Sequence, residues 1–297
     1  MNKQKRFQGT GTAIVTPFNA DRSIDEKSLR RLVEFQIKGG VEALIPVGTT
    51  GESPTLNFDE SVRIFNLVLE QADGRVKIFA GTGGNSTEKV IELSKMAKHA
   101  GTDGLLVVGP YYNKPTQEGY YQHYRTIAES VDLPLIVYNV PGRTGGNIEA
   151  ATILRLAEEV PSVFAVKEAS GNMGQIMEIA RNRPSTLSLL SGDDALTLPL
   201  MSVGGDGCIS VVANEVPRDF STMVRFCLQS KWEKALKLHN KLLPLMTGNF
   251  LESSPIPVKS ALAMMGMIEE VYRLPLVPPS EKTKEKLRAI LQQLHLI

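Results

Sequence analysis

Apolar residues follow two rhythms along this chain. Short runs, each closed by Gly, Ser, Thr or Pro, recur at "GTAIVTPF" (11–18), "EALIPVGTT" (42–50), "KIFAGTG" (77–83) and "GLLVVGP" (104–110). Four more follow at "PLIVYNV" (134–140), "VFAVKEAS" (163–170), "LSLLSGDD" (187–194) and "DGCISVV" (206–212). They are too short for helices and too continuously apolar to alternate, which predicts parallel strands covered on both faces. Between them the period changes to that of a helix. Leu29, Leu32, Val33 and Ile37 share one face of 25–38, and Ile153, Leu156, Ala157 and Val160 share one face of 149–160. Asp25, Thr87 and Asn147 stand where N-caps are expected, and Gly39, Gly40 and Gly101 where helices stop.

Eight strands separated by helices predict an α/β chain folded as a closed (β/α)₈ barrel over residues 1–228. An open doubly wound sheet is the rival. Its nearest phosphate loop, "GTGGNS" (81–86), lacks the third glycine of the dinucleotide fingerprint. Past residue 228 the strand signal ends. Segments 231–246, 257–268 and 280–297 read as helices, the last with Ser280 as its cap, so residues 229–297 are expected to form a small helical domain.

Composition narrows the setting. The chain has 297 residues, 42% of them hydrophobic and 22% charged, and a formal net charge of +1. That charge offers no electrostatic case for nucleic acid or an anionic membrane. Two cysteines, Cys208 and Cys227, make no disulfide framework. The basic start "MNKQKRFQGTGT" is followed by no apolar run, and no segment reaches the length of a membrane span. A cytoplasmic protein is expected.

In a barrel, catalytic groups gather at the C-terminal ends of the strands. Thr49 and Thr50 lie there, as do Tyr111, Tyr112 and Asn113, then Tyr138 and Asn139 with Arg143 on the next loop. Lys167 and Glu168 end the sixth strand, and Asp193 and Asp194 follow the seventh. Strand ends on one face are expected to bring all of these to one cavity.

Lys167 follows Val163–Val166 without a break. Burial disfavours an ammonium ion, and a neutral amine attacks carbonyl carbon to form a Schiff base. A structural lysine paired with Glu168 or another carboxylate explains the same residue. Tyr138, at the end of the preceding strand, has a phenol within reach to move protons, or is a core tyrosine. The turn "GTTGE" (48–52) offers hydroxyls and backbone N–H groups suited to a carboxylate, or is a plain capped turn. Arg143 in "NVPGRTGG" can grip a second carboxylate, or is a solvated loop arginine.

Other chemistries find little support. His99, His123, His239 and His295 have no metal-ligand spacing. No phosphate-binding P-loop or nucleophile elbow is present. Asp193 and Asp194 read either as metal ligands or as a turn with a cap.

Together these blocks resemble the pyruvate-dependent class I aldolases, the family that includes N-acetylneuraminate lyase. The blocks are "GTGTAIVTPF", "GTTGESPTL", "AGTG", "PYYNKPTQEG", "YNVPGRTG", "VKEASGN", "SGDD" and "PIPVK", in order along nearly the whole chain. The resemblance implies a (β/α)₈ barrel with a C-terminal helical domain, a homotetramer, and no metal or organic cofactor. It implies a Schiff base between Lys167 and pyruvate, Tyr138 as general acid and base, and Thr49 linking Tyr138 to Tyr112 of a neighbouring subunit. Thr50 would hold the pyruvate carboxylate, Arg143 the carboxylate of L-aspartate 4-semialdehyde, and Gly192 and Ile209 would line the pyruvate pocket. The implied product is 4-hydroxy-tetrahydrodipicolinate, on the route to diaminopimelate and lysine.

Within that family, N-acetylneuraminate and sugar-acid aldolases share the lysine and tyrosine. Arg143 after "NVPG", and "GTTGE" without a serine, favour the semialdehyde branch. A non-catalytic barrel would have lost Lys167 or Tyr138. Some members bind lysine as an inhibitor away from the barrel site. Ser53, Asn85 and Tyr111 match that pattern, whereas Phe58 and Ser61 replace histidines and Lys89 replaces a glutamate. Weak or absent lysine inhibition is expected.

Overall fold

The computed structural model describes residues 6–297. Residues 1–5, which open the basic N-terminus and the span assigned to the barrel, lie outside the described residues. Eight strands run β1 Gly9–Ala13, β2 Ala43–Ile45, β3 Lys77–Gly81, β4 Gly104–Val108, β5 Leu135–Asn139, β6 Val163–Glu168, β7 Ser188–Ser191 and β8 Gly207–Ser210. All pair in parallel, and the sheet closes as β1-β2-β3-β4-β5-β6-β7-β8. Closure excludes the open-sheet rival, and "GTGGNS" is the loop leaving β3.

The helices are α1 Glu26–Gly39, α2 Phe58–Ala72, α3 Thr87–Ala100, α4 Gln117–Val131, α5 Pro141–Thr144 and α6 Ala150–Glu159. They continue as α7 Met173–Asn182, α8 Thr197–Ser202, α9 Pro217–Leu228, α10 Trp232–Gly248, α11 Ile256–Met264 and α12 Glu281–Gln293. Asp25 caps α1 by accepting from the Ser28 N–H, and Ser280 does the same for α12 through Thr283. Gly40 and Gly101 end α1 and α3 at φ of 81° and 98°, where an L side chain is disfavoured. Two expected caps are otherwise engaged. Thr87 is the first residue of α3 rather than its cap, and its hydroxyl meets His123 Nδ1 at 2.9 Å. Asn147 precedes Glu149, the N-cap of α6, and its side chain is bonded to Asn139 and Gln175.

The strands are apolar on both sides because two separate cores need them. Ala43, Ile45, Phe79, Leu106, Ile136, Phe164, Leu190 and Ile209 fill the barrel interior. Leu44, Ile78, Leu105, Val107, Leu135, Val137, Val166 and Leu189 face outward against the helices. A third cluster joins Phe220, Met223 and Val224 of α9 to Leu242 and Leu245 of α10 and Leu291 of α12. The C-terminal helices are therefore packed onto the barrel wall. No helix among the described residues is long and apolar enough to cross a membrane.

β6 carries an irregularity. Leu135 pairs with Val163 but Ile136 with Ala165, so Phe164 is an extra residue in the β5–β6 ladder. From there the pairs run Tyr138 with Lys167 and Asn139 with Glu168.

Barrel closure rests on a close backbone approach, where a Cβ on Gly207 would lie 1.9 Å from the carbonyl oxygen of Gly9. Gly207→Ala must force β8 off β1. The expected cost is about 3 kcal/mol, or roughly 6–12 °C in Tm. Scanning calorimetry checks it, and an unchanged Tm would contradict this account of the seam.

Candidate active site

At the C-terminal ends of the strands lies a cavity of about 110 Å³, lined by Thr49 and Thr50 after β2, Tyr138 of β5, Lys167 of β6, Gly192 and Asp193 after β7, and Arg143 of α5. Lys167 is 4% exposed, and its Nζ lies 4.2 Å from the centre of the Tyr138 ring. The strand pairing produces this approach, because residues that pair in adjacent parallel strands project to the same face. Gly192 makes room for the lysine stem. A Cβ there would sit 2.9 Å from Lys167 Cε and 2.7 Å from the Ala169 side chain.

Glu168 does not neutralise Lys167. Its carboxylate points to the opposite face of the strand, is 1% exposed, and accepts hydrogen bonds from three amides. Asn139 Nδ2 donates at 3.0 Å, Gln175 Nε2 at 2.9 Å and the Ser170 N–H at 2.7 Å. Asn139 also donates to Asn147 and accepts from the Ile148 N–H at 3.0 Å. The structural pairing of Lys167 with Glu168 is thereby excluded, and Asn139 and Glu168 do not join the cavity. They form its outer brace.

The acidic pair after β7 divides. Asp193 borders the cavity and accepts from the Ala195 N–H at 2.9 Å, so it closes a turn. Asp194 is buried behind the strands and accepts from the N–H groups of Val211 and Val212 at 3.0 and 2.8 Å. Burial raises its pKa. Burial likewise pushes the Cys208 thiol well up, and that thiol donates to Asp194 at 3.6 Å. A thiol held protonated in this way is a poor nucleophile. Among the described residues no group of three or more His, Cys, Asp and Glu could hold a metal ion.

Four other sequence candidates stand apart. Ile209 is 1% exposed in the barrel interior beside Tyr138, while Val211 is the β8-side residue that lines the cavity. Tyr112 is 90% exposed with φ of 73°, so the single chain does not bring it to Lys167. Asn113 bonds the Asn85 carbonyl at 2.8 Å. Tyr111 lines a second cavity of about 470 Å³ that shares Thr49, Val140 and Arg143 with the first. Ser53, Phe58, Ser61, Asn85 and Lys89 line that second cavity too, so the six positions compared for lysine binding are neighbours in space.

The sequence reading missed Phe250 and Ser254, which reach the cavity from the segment between α10 and α11. The Ser254 carbonyl accepts from Arg143 Nη2 at 3.1 Å and orients the guanidinium. Both lie in "NFLESSP", a stretch without apolar period, and nothing local shows that it returns to the barrel mouth.

The chain matches the Dihydrodipicolinate synthetase family model over residues 6–294. It is 54% identical over 295 residues to the 4-hydroxy-tetrahydrodipicolinate synthase of Chloroherpeton thalassium, covering 99% of this chain and 98% of that protein. Among solved structures, the dihydrodipicolinate synthase of Thermotoga maritima superposes with a TM-score of 0.96 at 47% identity, over 98% of this chain and 100% of that one. The Aquifex aeolicus enzyme gives a TM-score of 0.96 at 44% identity, over 98% and 99%. A buried strand-end lysine beside a tyrosine, on a barrel that superposes along its whole length, agrees with these matches, and the chain belongs to the dihydrodipicolinate synthetase family.

Proposed function

We infer that the chain is an enzyme that condenses pyruvate with L-aspartate 4-semialdehyde to give 4-hydroxy-tetrahydrodipicolinate. The observation that carries the reading is Lys167 Nζ over the Tyr138 ring in a small cavity, with the adjacent carboxylate engaged on the far side of the strand. Full-length relatives named as 4-hydroxy-tetrahydrodipicolinate synthases support this activity over a sugar-acid or N-acetylneuraminate aldolase.

In this reading the Lys167 amine attacks C2 of pyruvate, and loss of water leaves an imine. The cation withdraws electrons from the methyl group, which loses a proton to give an enamine. The enamine carbon attacks the aldehyde of the second substrate, whose oxygen takes up a proton. The substrate's own amine then adds to the imine carbon and displaces Lys167 as the ring closes. Tyr138 moves the protons, passing them through Thr49 to Tyr112 of a neighbouring subunit in a homotetramer. The exposure of Tyr112 and its neighbour Tyr111 in the single chain supports a role across an interface. Thr50 and its turn hold the pyruvate carboxylate, and Gly192 leaves the space that the lysine stem needs. Arg143, braced by Ser254, receives the second carboxylate. The same reading sets the reaction in the cytoplasm.

Borohydride reduction with pyruvate, followed by mass spectrometry, tests the reading. A stable adduct is expected on Lys167 and on no other residue. Lys167→Ala should form no adduct, lose about a thousandfold or more in turnover and keep its circular dichroism spectrum. Substantial remaining turnover would refute the assignment.

Arg143→Ala should leave pyruvate trapping intact. It should lower kcat/KM for aspartate semialdehyde by roughly 10- to 150-fold, as expected for one charged hydrogen bond of about 1.5–3 kcal/mol. An equal loss in trapping would remove Arg143 from this role.

The 470 Å³ cavity carries Lys89 where lysine-binding members have a glutamate. A cation there repels the ammonium group of a lysine ligand. Calorimetric titration with lysine is expected to show no saturable binding at millimolar concentration, and binding with matching loss of activity would overturn this.

A further inference from the structure

The turn that presents Thr49 and Thr50 is bracketed by two residues with left-handed backbone, Val47 at φ 59° and Glu52 at φ 57°. That region is disfavoured for any residue with a Cβ, most of all for a β-branched one, and persists only where the surroundings enforce it. At the Glu52 end the enforcing contacts come from the far C-terminal part of the chain. The Glu52 carboxylate forms an ion pair with Lys259 of α11, and both side chains are 0% exposed. Its second oxygen accepts from the Arg273 N–H at 3.3 Å. Lys259 Nζ lies 4.4 Å from the centre of the Phe18 ring and 5.1 Å from that of Tyr272. The Arg273 guanidinium stacks over Phe18 at 4.4 Å and bonds Glu60 at 2.6 and 2.9 Å. From the barrel side, the Thr16 hydroxyl donates to the Gly51 carbonyl at 2.7 Å.

Neither Glu52 nor Lys259 lines the cavity, so the pair does not touch substrate. Stability does not account for it either. Two apolar side chains of the same size commonly do as well as a fully buried ion pair, because both charges must leave water. What the pair provides that apolar residues lack is direction, since the lysine admits the carboxylate in one place and with it the backbone of Glu52.

We propose that Glu52 and Lys259 are positioning residues through which α11 holds the strained 47–52 turn, and so sets Thr49 and Thr50 against Lys167 to receive pyruvate. The proposal rests on the reading of Thr50 as the holder of the pyruvate carboxylate.

Three variants test it: Lys259→Met, the double variant Glu52→Gln with Lys259→Met, and Thr50→Val as a control on that reading. Three quantities are measured: the pyruvate concentration giving half-maximal borohydride trapping, KM for each substrate, and Tm. Lys259→Met should raise the half-trapping concentration and KM for pyruvate by about tenfold or more, with KM for aspartate semialdehyde held within about twofold. It should also lower Tm, because it strands a buried carboxylate. The double variant removes both charges. It should recover the parental Tm yet keep the pyruvate defect, and it decides the matter if the single variant fails to fold. A double variant that recovers both Tm and pyruvate affinity would overturn the proposal, as would a fall in kcat alone with both KM values unchanged. A pyruvate defect in Thr50→Val beside normal pyruvate use in both Lys259 variants overturns this proposal and leaves the reading of the turn intact. Normal pyruvate use in Thr50→Val overturns both.

Discussion

One extra residue in β6 decides what faces the centre of this barrel. Side chains alternate along a strand, so Phe164 on the inner face would put Ala165 outside, Val166 inside, Lys167 outside and Glu168 inside. The bulge at Phe164 resets the alternation. Phe164 and Ala165 both belong to the inner cluster, Val166 turns outward, and Lys167 comes to the cavity beside Tyr138. Phe164 fills the interior against Phe79, with ring centres 5.6 Å apart, and this packing keeps the extra residue in place. Without the bulge a carboxylate would occupy the mouth, and the amine would face the helices.

The outward face of the same strand end then needs its own solution. A buried carboxylate is tolerated only where donors surround it, and Glu168 has Asn139, Ser170 and Gln175. These bonds tie β5, β6 and α7 together directly behind Tyr138 and Lys167. The inner pair meets in the cavity and the outer pair fixes its spacing, from adjacent positions on the same two strands. With Glu168 held outside, Asp194 buried behind β7 and β8 and the Asp193 carboxylate at the rim bonded to the Ala195 N–H, the cavity presents the Lys167 amine, the Arg143 guanidinium and the hydroxyls of Thr49 and Thr50. That set suits small anionic substrates.

The C-terminal helices complete the mouth rather than decorate it. The segment between α10 and α11 brings Phe250 and Ser254 to the cavity, and Ser254 aims Arg143. α11 buries Lys259 beneath the turn after β2. The shared apolar cluster of α9, α10 and α12 supplies the rigidity these contacts need.

Much of this was legible in the residues. Eight apolar runs too short for helices specified the strands, and helical periodicity with Asp25, Gly40, Gly101 and Ser280 specified several helix ends, because both signals are local. The strand-end rule of barrels drew Thr49, Thr50, Tyr138, Arg143 and Lys167 together, and they share one cavity. Local signals misled where a polar side chain had a distant partner. Asn147 reads as a cap but is bonded to Asn139 and Gln175, and Asn139 and Glu168 read as cavity residues but brace its outside. Nothing in "VFAVKEAS" shows that Phe164 is bulged, so the face on which Lys167 emerges was open from sequence alone, and Glu168 was an equal partner for it. Those outcomes, together with the return of Ser254 to the mouth and the meeting of Glu52 with Lys259, were decided by tertiary structure. The physical reason is that pairing register and long-range burial belong to surfaces brought together only when the barrel closes, whereas periodicity, caps and turn residues act within a few positions of themselves.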